Sequence, residues 1–176
     1  MGAEPYCYFI AYQPDLETAL TALRQREFAA GRYNPVVPFP AENTLVTADD
    51  PAPGPQHASI AEAIRAADAD GTRSILDIER LASDPFAEDE VPEDFEAWIA
   101  FALGASFPLS TQTLNELFGT DRPMRADVES VLIWEEMREG MADIFWDSID
   151  RGSGRHIIVY EDGQPSEIFF AGYSFD

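Results

Sequence analysis

Apolar positions along this chain fall into short runs with two periodicities, and the runs predict the elements in order. Tyr6 to Tyr12 is β-branched and aromatic on both faces, which predicts a strand covered on each side, and hence a central one. Pro14 and Asp15 then open a helix with Leu16, Ala19, Leu20 and Leu23 on one stripe, and Gly31 supplies its stop. Ser59 and Glu62 make a capping box for a short helix whose buried stripe is Ile60, Ala63, Ile64 and Ala67. That helix ends at Asp70-Gly71, and Ser74 to Ile78 predicts the next strand. Trp98 to Leu103 is apolar throughout and predicts a buried helix. Ser110 caps a helix running to Phe118, with Gly119 at its C-terminal stop. After Pro123 comes the longest predicted helix, about Arg125 to Asp150, with Ile133, Trp134, Met137, Met141, Ile144 and Phe145 on one apolar face. Finally, Ile157–Tyr160 and Glu167–Ala171 flank Asp162-Gly163, the strongest short-range hairpin signal in the chain.

Strands and helices do not alternate regularly, and the last two strands form a hairpin. The pattern therefore predicts an α+β fold, a mainly antiparallel sheet of about three to five strands packed by helices. With 176 residues, 45% of them hydrophobic, the chain has material for one cored domain, 1–176. Six prolines between Pro35 and Pro55 predict a wrapping loop over 35–57, and residues 84–96 predict a second, acidic loop.

Charge changes the picture most. Residues 76–150 hold 19 acids against 4 arginines, a net of −15 out of −22 for the whole chain. Such a surface repels nucleic acid and anionic lipid and attracts basic protein surfaces. Two plainer origins compete with a docking role. The absence of lysine, beside abundant Ala, Asp, Gly and Pro, fits a GC-rich coding background. Adaptation to high salt also favours acids, but predicts them evenly spread rather than clustered.

Two places carry the docking reading. The loop supplies Glu88, Asp89, Glu90, Glu93 and Asp94, interleaved with Phe86, Val91 and Phe95. The long helix supplies Glu135, Glu139, Asp143 and Asp147, successive i,i+4 neighbours whose three like-charge contacts each cost roughly 0.2–0.5 kcal/mol. A ridge that lowers helix stability is the physical reason to weigh a basic partner against a merely solvated face. An alternative is a small enzyme or ligand-binding pocket using Arg32, Tyr33, Arg73 and His156, although Arg32 in so cation-poor a chain is expected to pair internally. The third reading is an acidic surface with no specific partner.

Other chemistry is weak. Asp68, Asp70, Gly71 and Asp77 echo a calcium loop, but Ala66 stands at its first ligand position and Arg73 at its apolar one. Cys7, mid-strand between aromatics, reads as a small buried hydrophobe. No P-loop, dinucleotide fingerprint, nucleophile elbow or HExxH occurs. No run of 18 apolar residues and no basic, apolar leader is present, so a cytoplasmic protein is expected. No cofactor or metal is expected, and binding is expected before catalysis. The composition is shared with toxin-neutralising immunity proteins and nucleic-acid mimics, an analogy that makes a neutraliser of a nuclease or other nucleic-acid-binding protein the most concrete version.

Overall fold

Cross-strand pairing builds one five-stranded sheet in the order β1-β5-β4-β3-β2. The computed structural model describes residues 3–37, 45–82, 95–133 and 140–175. The strands are β1 (Pro5–Ala11), β2 (Arg80–Leu81), β3 (Ala105–Pro108), β4 (Gly154–Glu161) and β5 (Gln164–Tyr173). The helices are α1 (Leu16–Ala30), α2 (Ile60–Ala67), α3 (Phe95–Ala102), α4 (Thr111–Phe118), α5 (Arg125–Leu132) and α6 (Met141–Trp146). β5 pairs antiparallel with both β1 and β4, whereas β2, β3 and β4 run parallel. The class is α+β, and the sheet is mixed rather than purely antiparallel: its two long ladders are antiparallel and its two short ones parallel.

Helices cover both faces of the sheet. Tyr6, Tyr8, Ile168 and Phe170 pack against Ala19, Leu20 and Leu23 of α1 and against Ile75 and Ile78. Alternation along the strands sends Cys7, Ile157, Val159, Phe169 and Ala171 the other way, onto Leu117, Val128, Leu132 and Phe145 of α4, α5 and α6. Truncating a fully buried leucine such as Leu23 to alanine costs about 2–5 kcal/mol by the usual cavity cost.

The turn and cap signals form as expected. Asp15 caps α1 through the Thr18 N–H, and Gly31 stops it at φ 76°, where an added Cβ would stand 2.2 Å from the Gly54 carbonyl oxygen. Ser110 caps α4 and Gly119 closes it. Asp162 and Gly163 take φ 50° and 76°, both in the left-handed region, as a tight hairpin turn requires. At α2, Ser59 accepts the Glu62 N–H, while the Glu62 carboxylate reaches the Ala58 N–H, one residue before the expected partner.

Four expectations need correction. β1 is an edge strand: both faces are covered, but among the described residues its outer edge meets no strand, only the bridge to Val46 and the Arg26 guanidinium on the Phe9 carbonyl. Aromatics on both faces report two covering layers, not a central position. Ser74–Ile78 is not a strand, because Ile75–Asp77 curls into a 3₁₀ turn. There the Ser74 hydroxyl accepts the Leu76 N–H, and the Asp77 N–H donates to the Ser74 carbonyl. The helix expected over 125–150 is interrupted. α5 ends at Leu132, and Gly140, at φ 90°, cannot continue a right-handed helix and instead starts α6. Ile144, expected on the buried face, is 55% exposed, and Ile99 of α3 and Leu103 just after it are exposed while Ala102 is buried.

Candidate functional site

The four residues of the ligand-pocket alternative lie in three separate settings. Arg32 is buried and holds Glu27 with two hydrogen bonds, Nε–Oε2 at 2.6 Å and Nη2–Oε1 at 3.0 Å. Glu27 is fully buried at the end of α1 and also accepts from Arg26 Nε at 2.7 Å. This is the internal pairing expected of Arg32. A bidentate, charge-assisted pair lets α1 end on a buried carboxylate that would otherwise be costly. Tyr33 stacks on Phe28, with centroids 5.7 Å apart, and its hydroxyl meets His57 Nδ1 at 2.9 Å. Arg73 pairs with Glu4 at 3.0 Å.

His156 stands apart from these. It lies on β4 beside Phe170, and its Nδ1 meets the hydroxyl of Ser106 on β3 at 3.0 Å. Burial, with the neighbouring Arg155 charge adding to it, pushes its pKa down to about 4, so the ring is neutral at pH 7. His156 also lines an open pocket of about 310 Å³ together with Leu16, Leu109, Thr111, Asp121, Ile158 and Tyr160 among others. None of Arg32, Tyr33 or Arg73 lines that pocket. Ser106 was invisible as a partner of His156 in the sequence, because only the β3–β4 pairing brings these positions, 50 residues apart, into contact.

Asp77 is another buried ionisable group near the sheet. Its carboxylate accepts the Thr72 N–H at 2.9 and 3.0 Å and the Thr72 hydroxyl at 2.8 Å. Burial raises its pKa to about 6, against the opposing pull of those hydrogen bonds. Asp68 and Asp70, the other acids of the calcium-like skeleton, are exposed, so the three carboxylates do not converge. No group of three His, Cys, Asp or Glu side chains suited to a metal occurs among the described residues. Cys7 is buried, and desolvation raises its thiol to about 12, far from any thiolate chemistry at neutral pH.

Of the partner-binding candidates, Glu88, Asp89, Glu90, Glu93, Asp94, Glu135 and Glu139 lie outside the described residues. Asp143 lies on α6 and Asp147 at its C-terminal cap, both exposed and one turn apart, with exposed Ile144 between them. No ion pair to either forms among the described residues.

Among the described residues, most arginines are used within the fold. Arg24 donates to the Leu76 carbonyl and Arg26 to that of Phe9, while Arg80 and Arg155 reach the carbonyls of Phe101 and Ser148. Arg80, Arg122, Arg125 and Arg155 also sit over the rings of Phe101, Tyr160, Phe9 and Phe107. Arg125 further bridges Glu129 and Glu167, both at 2.8 Å. No protein-family model, curated protein or solved structure matches this chain.

Proposed function

We propose that this protein is a binding module that docks its acidic surface on a basic protein partner, most concretely as a neutraliser of a nuclease or another nucleic-acid-binding protein. One observation carries the reading. Among the described residues, eight arginines are committed to carboxylates, main-chain carbonyls or ring faces, while Asp143 and Asp147 stand exposed beside an exposed isoleucine. An acidic surface adapted only to salt needs no such apolar contact point, whereas docking surfaces combine an apolar centre with a charged rim. Charge of one sign also supplies the long-range steering that speeds encounter with a basic partner.

The test is charge reversal on a partner captured from the native host, with association rates followed at low and high salt. Changing Asp143 and Asp147 to Lys slows association at low salt, and the difference vanishes at 1 M salt, where the Debye length is about 3 Å. Asp49 and Asp70 are the proper controls, being exposed and outside the 76–150 stretch. Equal slowing from both pairs of substitutions would show that only total charge matters and would end the localised-face reading.

A further inference from the structure

The parallel pairing of β3 with β4 stops early. Its last register pair is Pro108↔His156, after which β3 turns away into α4, while β4 runs on to Glu161. The next contact on that edge is the bridge Met124↔Tyr160, where the Tyr160 N–H donates to the Pro123 carbonyl at 2.9 Å. Between them a stretch of β4 of roughly 13 Å has no neighbouring strand on this side. Alternate residues of a strand direct their N–H and C=O to the same edge. Ile158, two residues before Tyr160, therefore points both groups into this gap. Neither group has a main-chain partner among the described residues.

The gap coincides with the His156 pocket. Pro108, Leu109, Ile157, Ile158 and Tyr160 line it from the sheet, and Leu16 and Leu114 supply apolar walls. His156 is only 6% exposed, and among the described residues its one hydrogen bond uses Nδ1, which leaves Nε2 without a partner. Asp121, exposed, lies at the rim. Open main-chain groups, an unused imidazole nitrogen and apolar walls thus converge on one cavity.

We propose that this slot takes one extended residue of a partner polypeptide, which pairs with Ile158 as the missing strand would. An antiparallel residue exchanges two N–H···O bonds with the residue opposite, and one such pair is what the single open residue Ile158 offers. The side chain of the bound residue falls on the same face as Ile158, among the apolar walls, so a medium-sized apolar residue fits. Flanking basic residues suit Asp121 and the overall charge of −22. This choice of flanks rests on the function proposed above, while the main-chain slot does not.

The probes are acetyl-Lys-Leu-Lys-amide, the same peptide with an N-methylated leucine, and acetyl-Glu-Leu-Glu-amide, each titrated into the full chain with amide NMR and hydrogen exchange. In the free protein the Ile158 amide exchanges at least about tenfold faster than those of Ile157 and Val159, whose pairing with β5 is intact. The basic peptide shifts and protects Ile158, and N-methylation weakens binding about tenfold, the effect of losing one hydrogen bond to an otherwise buried acceptor. Three results would each overturn the slot: Ile158 as protected as its neighbours before any peptide is added, equal binding of the N-methylated peptide, or no response at Ile158 up to about 10 mM peptide. Equal binding of the basic and acidic peptides would support the slot and count against the basic-partner reading, so the two claims fail separately.

Discussion

At the scale of single residues, Asp77 and His156 act on stability in opposite directions over the same range of pH. Asp77 titrates near 6 in the fold and near 3.8 when free. The folded protein therefore holds the extra proton between those values, and this group's contribution to stability falls as pH rises from about 4 to 6. His156 titrates near 4 in the fold and near 6.5 when free. There the unfolded chain holds the extra proton, and this contribution is lost as pH falls from about 6.5 to 4. Each shift is on the order of 3 kcal/mol over its range, so in the native protein the two oppose one another. Asp77→Asn unmasks the histidine, giving a protein whose stability drops on acidification from pH 6.5 to 4. His156→Leu unmasks the aspartate, giving one whose stability rises over the same interval. Denaturant titrations across that range read both slopes, and parallel profiles for the two variants would contradict the assignment.

At the scale of elements, local chemistry was legible and long-range chemistry was not. The caps of α1 and α4, their glycine stops and the Asp162-Gly163 hairpin are written within a few residues, and all form. Ser110→Ala should therefore cost about 1 kcal/mol, read as a lower denaturant midpoint with an unchanged slope. An unchanged midpoint would mean that α4 is held by the packing of Leu117 alone. Ser74–Ile78 was misread because its apolar residues face the core from a turn as well as they would from a strand, and the deciding bonds involve Thr72 and the buried Asp77. The helix expected over 125–150 was misread because a continuous apolar stripe spans Gly140, where the backbone takes a left-handed conformation. As for the candidate site, Asp143 and Asp147 could be named from spacing alone. The slot beside Ile158 could not, since it is created by where β3 stops relative to β4.

At the scale of the whole molecule, a sheet covered on both faces leaves the exterior to the carboxylates. In a chain with 11 arginines and 33 acids, most of the described arginines are drawn to Glu4, Glu27, Glu129 and Glu167, to carbonyls and to rings. No described helix is long and apolar enough to cross a membrane. A one-signed surface attracts any polycation, and the central claim is more specific: the attraction is focused where charge adjoins an exposed apolar side chain. The most direct measurement is titration of the protein with a hexa-arginine peptide, followed by amide NMR at about 0.15 M salt, where exposed charges more than about 8 Å apart are largely screened from one another. The account predicts saturable shifts concentrated from Asp143 to Asp147, with Asp49 and Asp70 nearly unmoved. Shifts of equal size at all exposed acids would contradict it.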